Sequence, residues 1–554
     1  MRAKIAKFVC ERLGLSEVAL VIPKEAGFGH FATPIAFSLA KSLKKPPQAI
    51  AQELCEKLHG AEIFEKVEAI AGYVNFTLSD RFLDGEAAAA LAENDEFGAD
   101  KSGEKREKIL LEFVSANPTG PLHVGHARGA FYGDALARLA RHLGHAVTTE
   151  YYVNDAGNQV DLLGRSIYCR ARAEITENGE PFPAECYQGE YIYDLAQKAR
   201  AKFGDEVFAA GAAADIAENG AAAENAEKLK EISLWAKDEM LEWIKETMRQ
   251  AGVEFDGFVS ERSLYDRWSA AHAKLEALGA LYTDGEGKVW LASSKKGDNE
   301  DRVVVRENGA PTYLAGDIIY HDDKFSRGFD RYVNIWGADH HGYIARVKAA
   351  IAFLGFDPDR LEVLLSQMVA LLKNGSPYKM SKRSGNFVTM EDVGAETGFD
   401  ALRFVFLAKR ANTHLEFDID DLKKEDSTNP IFYVNYAHAR ICSLFEKLGV
   451  AADGFAAEPL DAAEPLDALP ADAKDLLFFA LSLPEIIRES FASREPHLLC
   501  DYLYKLSVKT HKFYADNRVI GSVYEARFAK ILAVTALSIR IGMRLLGITA
   551  KTRM

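Results

Sequence analysis

The run Ile109-Leu-Leu-Glu-Phe-Val-Ser115, taken with the residues just after it, restricts the fold most. It is mainly apolar, of strand length, and is ended by the breakers Asn117, Pro118, Gly120 and Pro121. From His123 onward, Val124, Ala127, Ala130, Phe131, Ala135, Leu136, Leu139 and Leu143 recur at helical spacing with no proline among them. This predicts a strand-turn-helix unit. A second unit opens with Tyr332-Val-Asn-Ile-Trp336, passes through Gly337-Ala-Asp-His-His341, and continues as a helix through Ile344, Val347, Ala350, Ile351 and Leu354. Alternating strands and helices predict an α/β fold with a Rossmann-like, doubly wound parallel sheet, and ligands beyond the carboxyl ends of its strands.

The first unit puts His123 and His126 at a helix start, where unpaired N–H groups and the dipole favour an anion. Gly125 between them leaves room for close approach of a nucleotide. Two imidazoles three residues apart share a helix face and can donate to phosphate oxygens. The same spacing occurs among zinc ligands and among incidental surface histidines. No matching cysteine or carboxylate set stands nearby, so no zinc is expected. Further on, the strand-like stretch 361–372 is broken by Asn374-Gly-Ser-Pro377, and Lys379-Met-Ser-Lys-Arg383 comes next with Ser384-Gly385-Asn386. Lys379 and Lys382 in a loop of this composition suit a mobile phosphate clamp, because lysine binds phosphate as a flexible point charge. A solvated basic loop is the plainer alternative.

At 554 residues several domains are expected. No run of about 18 apolar residues exists to cross a membrane, and the start Met1-Arg-Ala-Lys-Ile-Ala-Lys7 lacks an apolar signal core, so the cytoplasm is the expected location. Six scattered cysteines form no C-x-x-C pair and read as reduced thiols. The net charge of -15 argues only superficially against a nucleic-acid partner, since binding depends on local patches. Residues 501–554 carry ten Lys or Arg against three acidic residues, interleaved with Tyr502, Tyr504, Phe513, Tyr514 and Tyr524. Basic charge with aromatics suits single-stranded RNA, by phosphate contact and base stacking. A solvated basic helix packed on its aromatic face would look the same.

The expected organisation is an N-terminal α+β domain over 1–85, a linker over 86–108, and the parallel-sheet domain over 109–390 with a helical insertion at about 160–300. A connecting segment at 391–425 and an all-α helical bundle at 426–554 complete it. An acidic, proline-containing loop is expected at 451–475.

In this order, Pro118-Thr-Gly-Pro-Leu-His-Val-Gly-His126 and Lys379-Met-Ser-Lys-Arg383 resemble the two ATP-handling signatures of class I aminoacyl-tRNA synthetases. Glu112-Phe-Val-Ser-Ala-Asn117, Tyr313-Leu-Ala-Gly-Asp317, Trp336-Gly-Ala-Asp-His-His-Gly-Tyr343, Asp400-Ala-Leu-Arg403 and Asn429-Pro-Ile-Phe-Tyr-Val-Asn-Tyr-Ala-His-Ala-Arg440 narrow the resemblance to bacterial arginyl-tRNA synthetases, along the whole chain. Arg553-Met554 also resembles the family's ending, which implies a complete chain. The resemblance implies attachment of L-arginine to tRNA(Arg) through an arginyl-adenylate, with Mg2+ accompanying ATP, a monomeric enzyme, and activation that needs bound tRNA.

It implies ATP contacts from His123, Gly125, His126, Asp339, Lys379, Met380 and Lys382, of which His123, His126, Lys379 and Lys382 would be catalytic. Arginine would meet Glu112, Ser115, Asn117, His126, Tyr313 and Asp317. A buried guanidinium needs a carboxylate, and Asp317 is the first choice; a helix N-cap is the alternative for Asp317, and metal ligation for Asp339-His340-His341. Tyr433, Tyr436, Tyr514 and Arg518 are the tRNA candidates. The 1–85 domain resembles the family's tRNA-elbow domain, with His30 where the family more often has Asp. Cysteinyl-tRNA synthetases share both signatures but carry a Cys/His zinc set. A small-molecule nucleotidylyltransferase would have no use for the basic C-terminus, and a non-catalytic paralogue should lack His123, His126 or Lys382.

Overall fold

The first helix, α1 (Arg2–Leu13), stops at Gly14, whose φ of 68° gives the left-handed turn that glycine adopts without strain. Helices α2 (Ile35–Leu43) and α3 (Pro47–Leu58) come next, on either side of a Pro-Pro break that places proline at the first turn of α3. They cover a three-stranded sheet of β1 (Phe31–Thr33), β2 (Phe64–Ile70) and β3 (Tyr73–Leu78), in the order β1-β3-β2 and wholly antiparallel. Helix α4 (Asp80–Glu93) starts at Ser79, whose hydroxyl accepts from Phe82 N–H. His30 does not disturb this arrangement. Its Nδ1 accepts from Leu78 N–H at 2.9 Å, an acceptor role a carboxylate could fill equally well. Burial lowers its pKa, which keeps the accepting form.

In the computed structural model the described residues are 1–101, 103, 106–176, 182–209, 223–378, 388–449 and 469–554. They fall into two compact units, residues 102–424 and residues 1–101 with 425–554.

The 102–424 unit is built on a five-stranded parallel sheet. Strands β4 (Lys108–Glu112), β5 (Ala146–Val153), β6 (Gly257–Ser260), β10 (Arg331–Gly337) and β11 (Leu361–Ser366) lie in the order β11-β10-β4-β5-β6. The order reverses between β4 and β10, which makes that crevice the switch point of the sheet. Helix α5 (Val124–His142) crosses from β4 and is buried along most of its length. A methyl group at its Gly133 would lie 2.2 Å from the Phe113 ring, so α5 approaches the sheet as closely as glycine allows.

Two expectations needed revision. The stretch 160–300 is not all insertion, because residues 257–260 form β6 and close the edge of the central sheet. The stretch 361–372 is not one strand. It bends at Gln367-Met368 into β12 (Val369–Lys373), which leaves the central sheet to pair with β13 (Ser376–Pro377) and β14 (Leu415–Asp418). Arg128 on α5 anchors the bend by donating to the carbonyls of Gln367 (3.1 Å) and Arg410 (2.7 Å).

The helical insertion contains α6 (Asn158–Thr176), α7 (Tyr191–Phe203), the one-turn α8 (Asp205–Ala209) and α9 (Ala223–Gln250), around an apolar core that includes Leu163, Ile167, Phe208, Ile232 and Met240. Short α10 (Glu261–Leu264) and α11 (Trp268–Ala277) lead to an antiparallel sheet of β7 (Leu281–Thr283), β8 (Val289–Leu291) and β9 (Arg302–Val305). Then come α12 (Tyr313–Ser326), α13 (Ile344–Phe353), α14 (Met390–Thr397) and α15 (Phe399–Leu407). Trp243 of α9 donates its indole N–H to Glu391 of α14 at 2.9 Å.

The Asp400-Ala-Leu-Arg403 motif lies on α15. Arg403 is fully buried, pairs with Asp134 of α5, and donates to Ala251 C=O at 2.7 Å; Arg138 holds the same Asp134 oxygen at 2.7 Å.

In the other unit, α16 (Pro430–Lys447), α17 (Ala471–Ala480), α18 (Leu483–Ala492), α19 (His497–Asp516) and α20 (Glu525–Leu545) form the C-terminal bundle. The Asn429–Arg440 motif has a structural use here, since Asn435 and His438 hold the backbone of Lys551 at 2.9 Å each. Of the acidic loop expected at 451–475, residues 451–468 lie outside the described residues, and its end is helix instead, because α17 already begins at Ala471.

Asp134→Ala leaves the Arg403 guanidinium buried without its carboxylate, and should cost about 3–5 kcal/mol. Urea unfolding of the purified protein would measure this, and the Asp134→Leu/Arg403→Met double variant should recover most of the loss.

Candidate active site

The strand β4 ends in a tight, unusual turn. Val114 and Ser115 both have positive φ (68° and 43°), a costly backbone for residues with side chains. The turn points the Ser115 hydroxyl back at Glu112, to which it donates at 3.0 Å, while Tyr152 N–H donates to the same hydroxyl at 3.1 Å. The other Glu112 oxygen takes a 2.6 Å bond from Lys324, which also donates to Asn334 at 2.9 Å. Lys324 is 0 % exposed, so this ion pair sits directly beneath the switch point. Asn117 donates to Gln159 at 2.6 Å, and the nearby Thr119 C=O accepts from the buried Tyr191 hydroxyl at 2.9 Å.

The imidazoles come next. His123 is the N-cap of α5, and its Nδ1 accepts from Gly125 N–H at 3.1 Å. His126 Nδ1 accepts from His123 N–H at 3.2 Å. With both Nδ1 atoms used as acceptors, each neutral ring carries its proton on Nε2 and can donate from there. The rings stack, with centroids 3.6 Å apart. A methyl group on Gly125 would lie 2.8–2.9 Å from the His123 ring, so the glycine makes room first for that imidazole.

The backbone joins this turn to the chain that returns from the lysine segment. Val124 N–H donates to Val388 C=O at 3.2 Å, and Met390 N–H to Leu122 C=O at 2.8 Å. Lys379, Met380, Lys382 and Arg383 themselves lie outside the described residues. Asp339 lies just after β10 on the other side of the switch point, exposed and 3.6 Å from His340 Nε2.

The acidic part of the site lies on α12 and α10. Tyr313 is the first residue of α12 and is 61 % exposed. Asp317 is one turn further, so it is not the N-cap; Thr312 holds that position. Among the described residues no hydrogen bond reaches the Asp317 carboxyl. Burial, then the charges of Glu261 and Glu112, push its pKa up to about 7, with Arg346 pulling weakly the other way. Glu261, buried at the first turn of α10, is pushed up to about 7 by burial, and Asp155 adds to this; the Tyr265 and Tyr152 hydroxyls oppose it. Tyr265 donates to Glu261 at 3.2 Å. A methyl group at Gly316 would come 2.6 Å from Glu261 Oε1, so α12 passes against this carboxylate. Among the described residues neither acid is in an ion pair, so the two neighbouring carboxyls can take up a cation.

Glu261 was not among the residues singled out in the sequence. It stands alone in Ser260-Glu-Arg-Ser263, and only the fold brings it to Asp317. Tyr152, stacked on Tyr320 at 4.2 Å, was missed for the same reason.

In the C-terminal bundle, Tyr433 and Tyr436 come together with His511, at 4.4 and 5.3 Å between centroids, and Tyr504 lies 5.6 Å from Tyr433. Tyr436 and Tyr504 are exposed. Tyr514 instead packs under Arg440 at 4.5 Å, and Arg518 donates to Ile520 C=O at 3.0 Å. Those two are not part of the aromatic cluster.

The parallel sheet, with a histidine pair at the start of the helix after its first strand, defines the class I synthetase catalytic fold. Residues 86–440 match the model for the class I (R) tRNA synthetase catalytic domain, residues 1–78 the arginyl tRNA synthetase N terminal domain, and residues 434–554 the DALR anticodon binding domain. The chain is 56 % identical to the arginine–tRNA ligase of a Nitratiruptor species over 542 residues, 98 % of each chain. It is 53 % identical to that of Wolinella succinogenes, again over 98 % of each. Its fold matches the arginyl-tRNA synthetase of Thermus thermophilus with a TM-score of 0.74 over 100 % of both chains, at 21 % identity. The chain therefore belongs to the arginyl-tRNA synthetase family.

Because their folded-state pKa values are raised, Asp317 and Glu261 favour the ligand-free fold most at low pH, and that contribution is lost as pH rises through about 7. Asp317→Asn or Glu261→Gln should therefore stabilise the ligand-free protein at pH 8 by on the order of 2 kcal/mol. The gain should vanish towards pH 4. Thermal unfolding at both pH values measures it.

Proposed function

We propose that this site activates L-arginine with ATP and transfers it to tRNA(Arg). The observation that carries the reading is the closeness of two carboxyls, Asp317 and the buried Glu261, neither of which forms an ion pair among the described residues. A guanidinium between them restores both ionised forms and can engage a carboxylate with two parallel hydrogen bonds. Tyr313 closes over the guanidinium from the start of α12. Ser115, Asn117 and His126 take the amino and carboxylate ends, and Glu112, held by Lys324, balances the charge there.

ATP lies against the start of α5, with His123, Gly125 and His126 at its phosphates and Asp339 at its ribose. Mg2+ enters with the nucleotide as part of the substrate. An arginine carboxylate oxygen bonds to the α-phosphorus as the bond to the pyrophosphate oxygen breaks. The Nε2–H groups of His123 and His126, with Lys379 and Lys382, meet the charge that builds on the phosphates. A hydroxyl of the terminal adenosine of tRNA then attacks the mixed anhydride, and AMP leaves. Positioning and electrostatics supply the rate. Tyr433, Tyr436, Tyr504 and His511 offer stacking surfaces for unpaired bases of the tRNA. The chain acts as a monomer.

The test is arginine-dependent ATP–pyrophosphate exchange, with and without tRNA and with cysteine as control. Exchange with arginine supports the assignment, and exchange that needs tRNA supports activation on the tRNA complex. No exchange with arginine under either condition would overturn the substrate assignment. Arginine affinity should weaken by up to about 100-fold per pH unit below 7, as binding must then displace a proton from each carboxyl; calorimetry in buffers of different ionisation enthalpy measures that release. Gly125→Ala, by crowding His123, and Lys382→Ala should each cut exchange about 100-fold or more while leaving arginine affinity within about twofold.

A further inference from the structure

The mechanism leaves one pair of nucleophilic side chains unused. Cys169 lies on α6, partly exposed, and Cys186 is buried in the segment that leads into α7. The two thiols are neighbours, and Cys186 also neighbours Ser166, one turn before Cys169 on α6. The two backbones are held together independently of the sulfurs. Tyr187 N–H donates to Ser166 Oγ at 2.9 Å, Arg165 pairs with Glu185 at 2.8 Å, and Gln188 ties the turn by donating to the carbonyls of Pro183 (3.0 Å) and Cys186 (2.8 Å). The neighbouring Cys169 thiol, then Ser166 and Arg165, favour the Cys186 thiolate, while burial opposes this. With Tyr187 and Glu185 tied to Ser166 and Arg165, Cys186 is held against the turn of α6 that carries Cys169, which is the arrangement that reactive dithiols use.

We propose that Cys169 and Cys186 form an oxidisable dithiol, which a hydroperoxide converts to an intramolecular disulfide. One thiolate attacks the outer peroxide oxygen. The O–O bond breaks, a sulfenic acid forms, and hydroxide or an alkoxide leaves. The second thiol then attacks the sulfenic sulfur, and water carries away the sulfenic oxygen. The peroxide is reduced and the two sulfurs are oxidised by two electrons in total. A dithiol reductant reverses the change by exchange.

The pair can reach the synthetase site through Tyr191. The segment 186–190 runs directly into α7, and Tyr191 donates to Thr119 C=O at 2.9 Å in the turn that precedes His123. A methyl group at Gly120 would lie 3.1 Å from the Tyr191 hydroxyl, so this contact has little slack. Bonding Cys186 to α6 removes its contact with Ser166 and shifts the segment that carries Tyr191. This consequence rests on the proposed role of the His123 turn, whereas the thiol chemistry does not.

The test treats the full-length protein with hydrogen peroxide, alkylates the remaining thiols, and maps the peptides without reduction. The expected result is a linked Cys169–Cys186 peptide, with arginine-dependent exchange falling about tenfold or more and returning after dithiothreitol. Cys169→Ser should prevent both the link and the loss, and Cys10→Ser neither. Alkylatable Cys169 and Cys186 in folded, peroxide-treated protein would overturn the proposal. A link formed with undiminished exchange would overturn the coupling to Tyr191. Should Cys169→Ser not fold, the wild-type peptide map decides alone. A protein inactive before oxidation would count against the proposed function and leave the map readable.

Discussion

Two backbone hydrogen bonds, Val124 to Val388 and Met390 to Leu122, govern the catalytic unit. They tie the first turn of the imidazole helix to the chain as it returns from the lysine segment, some 260 residues later. Neither bond involves a side chain, so local sequence changes do not easily remove them. Their effect is to bring the first turn of α5 and the chain that follows the lysine segment to one place. Arg128 and Arg403 reinforce the same helix from below, through carbonyls and a buried carboxylate. The helix with the most to position is also the most heavily fixed.

The substrate pocket works on the opposite principle. Glu112 has its counter-ion in Lys324, and Glu150 has Arg327 on both oxygens at 2.5 and 2.9 Å. Asp155 accepts from Ser260 and from Arg262 N–H. Among the described residues Asp317 and Glu261 have no such ion pair, and burial together with neighbouring acids makes both hold their protons more tightly. Leaving two acids uncompensated costs stability, and on the proposed reading a cationic substrate recovers that cost on binding. A neutral amino acid of similar length would then gain nothing there, so selectivity and instability would have one source.

The sheet was legible where its strands were long enough to leave a pattern. Residues 109–112 and 331–337 read directly as strands, and the helices after them kept their spacing. Strand β6 did not, because four half-buried residues carry no alternation. The bend at Gln367 was hidden inside one apolar stretch, since what turns the chain is Arg128, far away in sequence. At the site, short motifs marked His123, His126, Tyr313 and Asp317. Glu261 left no trace, because a single glutamate in a polar segment looks like a surface residue until α12 is laid across it.

The long helix α9 has a mechanical meaning. At 1.5 Å per residue its 28 residues span about 42 Å. Trp243 is fastened to Glu391 and, just past the helix end, the carbonyl of Ala251 is fastened to Arg403. Both fixings are near the C-terminal end and both attach to the α14–α15 pair, while earlier on the helix Ile232 and Met240 pack into the insertion's core and Lys237 lies 3.8 Å from Asp155. Glu391 in turn stands three residues from Val388, whose carbonyl holds α5, so a continuous run of fixed contacts leads from the insertion to the start of that helix.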